Sequence, residues 1–280
     1  MMGQALLKDI LPDPDLQEYI RKYQVVRFVF DKGIVPPIKF HTPRPEHCIT
    51  FYVRDAQRFS YANSPEVFTY PQCVVNGMYN IPIHRYGGHD FLAIKVILQP
   101  TILFHLIKID LQKLTNKFIN AQEVWGNKIN SVCARLNDIE DLHEMIQIIE
   151  SFFQTLLKKI PRPGHPFDEA ICFMLNEKNA VSLDWLANQS CLSTRQFIRK
   201  FEECVGISAK TFQRIIRFDA AFRMKNGHPD EDWLSIAIAR GYYDYQHLVK
   251  DFKEFTHLTP PAFYEVEKKS PERSFGLHEE

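Results

Sequence analysis

The sequence predicts an α+β chain. A β-rich N-terminal half forms a sandwich or barrel with flanking helices, and an all-α C-terminal half carries two helix-turn-helix units joined by a linker helix. Three observations predict this. Short runs of β-formers alternate with turn residues between Tyr23 and Leu98. Pro161, Pro163, Gly164 and Pro166 then interrupt the chain. Beyond them a helical pattern recurs with a period of about fifty residues.

Taken in order, the opening segment places Asp9, Pro12, Asp13, Pro14 and Asp15 where a signal peptide needs an aliphatic core. The richest apolar run, Phe91 to Leu98, is broken by Lys95, so no membrane span and no membrane partner are expected. These readings place the chain in the cytoplasm. Strands are predicted at YQVVRFVF (23–30), CITFYV (48–53), VVNGMY (74–79) and FLAIKVIL (91–98). Asp31-Lys32-Gly33, Pro36-Pro37, Ala62-Asn63-Ser64-Pro65 and Gly87-Gly88 punctuate them.

Pro100 marks a helix start, and a longer amphipathic helix is predicted from Ile139 to Lys158. There Leu142, Met145, Ile146, Ile149, Phe152, Phe153, Leu156 and Leu157 recur at spacings of three and four, with Asn137 or Asp138 as cap. Its apolar face has three candidate partners: the sheet, a second copy of itself, or the C-terminal half. Residues 158–166 read as a linker, because proline forbids both helix interior and central strand. This divides the chain into a unit at 1–160 and a helical unit at 167–267.

Composition excludes wholesale disorder: 45% of residues are hydrophobic and 24% charged. Six cysteines without a C-x-x-C suit a reduced compartment and small buried hydrophobes. Net charge is zero, with 18 basic and 16 acidic residues in 1–160 and 16 and 18 in 161–280, so a polyanionic partner must be sought in the local distribution.

The repeat supplies that distribution. Leu186-Ala187 recurs as Ile236-Ala237, Ser193 as Asp244, Phe197 as Leu248, Phe201 as Phe252, and Phe212 as Phe263. Each copy reads as a short helix (Leu183–Gln189; Trp233–Arg240), a turn, a capping residue and a second helix. In the second helices one face is apolar. The other carries Thr194, Arg195, Ile198 and Arg199 in the first copy, and Tyr245, Gln246, His247 and Lys250 in the second. Ordinary exposed helix faces mix Glu with Lys, yet neither of these has a carboxylate. This composition suits double-stranded DNA read in its major groove. Ser208 to Asn226, free of proline and glycine, forms a strut of about 28 Å. Successive major-groove segments on one face of a duplex lie about 34 Å apart. Residues 193–225 hold eight basic and three acidic side chains, a local excess of five positive charges.

These residues resemble the AraC/XylS family of bacterial transcription regulators over about 100 residues, Phe167 to Val266. The resemblance rests on L-A…L-S-x-R-x-F-x-R-x-F at 186–201, the strut with Arg217 and Ala221, I-A-x-x-x-G-Y-Y-D at 236–244, H-L-V-K-D-F-K at 247–253 and L-T-P-P-x-x-F-Y at 258–264. Cys191 and His257 stand where the family commonly has glycine, and His257 must adopt a left-handed or altered cap. The resemblance implies that Thr194, Arg195, Ile198 and Arg199, and Tyr245, Gln246, His247 and Lys250, face bases. Arg214 and Arg217 are left between two roles, holding phosphates or pairing with Asp219. It also implies a cupin-like sensory barrel at the N-terminus, with a small-molecule effector, a homodimer and RNA polymerase as partners.

The chemistry-bearing motifs of enzymes are missing. There is no H-x-H among His41, His47, His84 and His89, and no G-x-S-x-G, Walker-type glycine loop or H-E-x-x-H. No catalytic residue, metal or cofactor is therefore assigned. Phe51, Tyr52, Phe59, Phe68, Tyr70, Tyr79 and Phe91 are core residues or the lining of a ligand site. A cupin-type metal oxygenase and a helical protein-binding adaptor are the competing readings; bound metal, or the lack of salt-dependent retention on DNA, would identify them.

Overall fold

A computed structural model describes residues 4–176 and 181–278. Its strands are β1 (Ala5–Ile10), β2 (Ile20–Val29), β3 (Lys39–His41), β4 (Cys48–Tyr52), β5 (Arg58–Tyr61), β6 (Phe68–Thr69), β7 (Cys73–Asn76), β8 (Ile83–Tyr86), β9 (Asp90–Leu98) and β10 (Phe118–Asn120). They make a six-stranded antiparallel sheet in the order β1-β2-β9-β4-β7-β10 and a four-stranded one in the order β3-β8-β5-β6. The expected barrel is thus two separate sheets and not a closed ring of hydrogen-bonded strands.

Period-two alternation assigns the two faces of the large sheet. Tyr23, Val25, Ile49, Phe51, Cys73, Val75, Ile94 and Val96 join a core with the helices that follow. Phe28, Tyr52, Val74, Phe91 and Ala93 point the other way, into an aromatic core with Phe59, Phe68 and Tyr70 around the small sheet. β7 stops one residue before Gly77, because the chain there runs against the carbonyl of Leu114. A Cβ at Gly77 would lie 2.1 Å from that oxygen.

The helices of this half are α1 (Ile102–Ile107), α2 (Ala121–Trp125), α3 (Asn127–Asn137) and α4 (Leu142–Leu157). α4 starts three residues later than its apolar spacing suggests, and its cap is Asp141, which accepts from the Glu144 amide at 2.8 Å. Asn137 instead ends α3, and the Ile139 carbonyl accepts from the Arg54 guanidinium at 2.8 Å, so 138–141 is a turn. Of the three candidate partners for its apolar face, the large sheet takes it: Met145, Ile146, Ile149 and Phe153 are buried in the shared core.

The C-terminal half holds α5 (Pro166–Asn176), α6 (Leu183–Gln189), α7 (Thr194–Val205), α8 (Ala209–Gly227), α9 (Trp233–Ala239), α10 (Tyr245–Thr256) and α11 (Pro260–Glu267). Their core contains Phe197, Phe201, Phe212, Phe218, Leu248, Phe252 and Phe263, the apolar members of the repeat, and it also takes in Phe40, Met78 and Phe104 from the first half. The two halves therefore share buried surface. All six cysteines are free thiols. No helix among the described residues is long and apolar enough to cross a membrane.

Candidate nucleic-acid interface

Each helix-turn-helix begins with a locally encoded cap. Ser182 starts α6 by accepting from the Trp185 amide, and Ser193 starts α7 in a reciprocal capping box with Gln196. Asp232 and Asp244 play these parts for α9 and α10. Ala187 and Ala237 are both fully buried, which lets the second helix of each pair cross closely. The turns need a left-handed residue, supplied by Cys191 at φ 54° in the first copy and by Gly241 at φ 74° in the second. His257, after α10, takes φ 61° as its position requires, whereas α7 ends on Gly206 at φ 93°.

The predicted face of α7 is mostly open. Arg195 and Arg199 are exposed, and Ile198 is half-buried. Thr194 is engaged, donating its hydroxyl to Asp184 of α6 at 2.6 Å. On α10, Gln246, His247 and Lys250 are exposed. His247 sits 3.4 Å from Asp244 and edge-on to the ring of Tyr243. Tyr245 differs from its neighbours: it is half-buried and packs on the helical core. Tyr243, 87% exposed in the turn before α10, is an open aromatic that the alignment of the two copies passes over, since only its exposure distinguishes it from Tyr242.

Behind these faces lies the strut. α8 runs over nineteen residues, Ala209–Gly227, and buries Phe212, Ile215, Phe218, Ala221 and Phe222. The pairing with Asp219 considered for Arg214 and Arg217 needs correction. Arg214 pairs with Asp251 (Nε to Oδ1 3.0 Å, Nη2 to Oδ1 2.8 Å) and with Glu254. Arg217 reaches Asp251 Oδ2 at 3.3 Å and stacks 4.2 Å over the ring of Tyr242. It is Arg223 that pairs with Asp219, one turn away. Hydrogen bonding to Glu254 and Asp251 outweighs burial and keeps Arg214 more firmly charged than usual. Asp219 lies on the same helix as both arginines, but their true partner comes from α10, which only tertiary packing brings near.

Lys210, Gln213, Arg214, Arg217, His247 and Lys250 line one groove between α8 and α10. The arginines there are neutralised by Asp251 and Glu254. Lys210 and Lys250 are exposed on the same surface, which suits them to phosphate. Among the described residues no cluster of His, Cys, Asp or Glu has the arrangement of a metal site.

Comparison with known proteins agrees with this geometry. Residues 186–265 match the family described as a helix-turn-helix domain. An uncharacterized HTH-type transcriptional regulator of Haemophilus influenzae is 30% identical over 94 residues, which are 33% of this chain and 31% of that protein. The chain thus matches about a third of the length of this curated relative. Among solved structures, an apo ToxT variant from Vibrio cholerae covers 87% of this chain and 97% of its own, at 11% identity and a TM-score of 0.48. The DNA-binding domain of AdpA, solved with a target DNA, covers 38% of this chain and 95% of its own, at 19% identity and a TM-score of 0.35. Residues 186–265 thus match a helix-turn-helix domain, carried behind a β-rich N-terminal half.

Proposed function

We propose that the chain is a sequence-specific DNA-binding transcription regulator. Residues 167–267 read two adjacent major-groove segments, and residues 1–160 place that reading under the control of a small molecule. The observation that carries the proposal is the pair of capped helices, α7 and α10, packed on one unbroken strut. Arg195, Arg199, Gln246, His247 and Lys250 stand exposed on them. Arginine suits guanine O6 and N7 and glutamine suits adenine N6 and N7, each good bidentate pair giving about 1–3 kcal/mol of discrimination. Lys210 and Lys250 add the sequence-independent attraction to phosphate, so binding weakens steeply with salt.

Selection of bound duplexes from a random pool tests the reading. Two conserved motifs about one helical turn apart are expected. A single motif, or none, overturns it.

A further inference from the structure

The turns of the two helix-turn-helix units repeat the same hydrogen bonds up to their last residue. Leu192 donates its amide to the Ala187 carbonyl at 3.0 Å, and Tyr242 donates to the Ala237 carbonyl at 3.0 Å. Cys191 donates to the Asn188 carbonyl and Gly241 to that of Ile238, each at 3.1 Å, and both residues take positive φ. Leu192 and Tyr242 then pack on the helical core. After them the copies part. Ser193 follows Leu192 directly and caps α7, whereas Tyr243 stands between Tyr242 and Asp244, the cap of α10. Tyr243 is therefore an extra residue with no counterpart in the first unit. Asp244 accommodates it by extending to φ −155° and ψ 176°, where Ser193 has φ −69° and ψ 153°.

The extra residue is 87% exposed. A single exposed aromatic is ordinary and by itself indicates no partner. Its position is what matters. The ring stands edge-on to His247, with centroids 6.0 Å apart and planes at 80°, so it lies beside the face that presents His247. The Asp244 carboxylate accepts from the His247 amide at 2.8 Å and lies 3.4 Å from its Nδ1, which holds the same histidine in place. Tyr243 thus carries the exposed surface of α10 past its N-terminus, the end that a recognition helix directs at base edges.

A tyrosine side chain is a rigid, largely apolar plate with only two torsions to fix on contact. The major groove offers such a plate one base-specific apolar group, the 5-methyl of thymine. A phosphate contact through the phenol hydroxyl is disfavoured, because the Asp244 carboxylate stands next in the chain at the same helix end and repels it. We propose that Tyr243 is a further base-reading residue, its ring packing on the 5-methyl group of a thymine in the second groove segment. This role rests on the reading of α10 as a groove helix and adds to it a base and the group by which that base is known. It also makes the two units unequal, since the shorter first turn has no residue at this place.

Fluorescence-anisotropy titration of the full chain with a duplex taken from the random-pool selection tests the role. Each thymine of the second motif is replaced in turn by deoxyuridine, which removes only the methyl group. At one thymine the replacement should weaken the unaltered chain about fourfold, the worth of one buried methyl. Tyr243→Ala should weaken binding to the thymine duplex by at least that factor, lose the methyl dependence and leave a scrambled duplex unaffected. Tyr243→Phe should retain both affinity and methyl dependence, since the ring makes the contact. The exposure of Tyr243 means that neither substitution removes packing from the core. No methyl-sensitive thymine in the second motif, a methyl dependence that survives Tyr243→Ala, equal weakening of selected and scrambled duplexes by Tyr243→Ala, or Tyr243→Phe as weak as Tyr243→Ala overturns the assignment. A chain that selects no duplex overturns the groove reading and this role together. A chain that selects two motifs and then gives any of those outcomes overturns this role alone.

Discussion

Asp251 is the residue that fixes α10 to the strut, and Asp251→Ala is the sharpest perturbation of the C-terminal half. The carboxylate is 3% exposed and accepts from Arg214 twice and Arg217 once, at 2.8–3.3 Å. Removing it leaves Arg214 its exposed partner Glu254 and leaves Arg217 only the face of Tyr242. Breaking a buried pair costs about 3–5 kcal/mol. Arg214 and Arg217 retain 21% and 25% of their side-chain exposure and recover part of that from water, so the low end, about 3 kcal/mol, applies. For a helical unit of this size, a loss of about 3 kcal/mol lowers the melting temperature by roughly 12–24 °C. Thermal unfolding by circular dichroism measures it, and a duplex carrying both motifs should be bound with the contribution of the second motif diminished. A fall of only a few degrees, with discrimination at both motifs intact, would refute the view that this carboxylate braces α10 on α8.

Arg199→Ala should relax base preference at one position and lose about 1–3 kcal/mol, whereas Lys210→Ala should weaken specific and scrambled duplexes alike; equal losses for Arg199→Ala in a competition assay count against its base contact. Burial lowers the pKa of His47 to about 4 despite its contacts to two carbonyls. Its unfolded ring titrates near 6.5, so this stability is present above that value and lost as pH falls from 6.5 towards 4, about 2 kcal/mol between pH 7 and pH 5. His47→Gln removes that component, and a urea-midpoint difference from wild type that stays constant across this range contradicts the assignment. Gly206→Ala should destabilise by about 1–3 kcal/mol, since φ is 93° and the new Cβ would lie 2.8 Å from the Leu111 carbonyl; an unchanged midpoint excludes both strain and clash.

Much of this architecture is legible in the sequence because it is encoded locally. Ser193, Asp244 and the phenylalanines of the repeat set the starts and buried faces of α7 and α10, and both helices begin where those residues place them. The strands around Ile49 and Ile94 follow the same logic, since a run of β-formers is a property of consecutive residues. What escapes is whatever depends on residues far apart. Asp251 replaces Asp219 as the partner of Arg214 because α10 folds back on α8. Tyr245 sits on the expected outer face yet packs inward, since a helix's first turn lies beside the preceding hairpin. Short strands such as Phe68–Thr69 carry too few residues for a period.

The C-terminal ends of α7 and α10 are held by different bodies. The C-terminal carbonyls of a helix have no partners within it and must find them elsewhere. At α7 the Val205 carbonyl lies 3.0 Å from His47 Nε2, and the Gly206 carbonyl accepts from Thr115 Oγ1 at 2.5 Å, both groups belonging to the β half. At α10 Thr256 closes the end internally, its hydroxyl donating to the Phe252 carbonyl at 2.6 Å. The helix α7 is thus tied to the N-terminal half, while α10 is tied through Asp251 to the strut. A rearrangement of the β half bears directly on α7, whereas it reaches α10 through α8 and through α11, where Phe263 packs between Phe40 of β3 and Phe252 of α10.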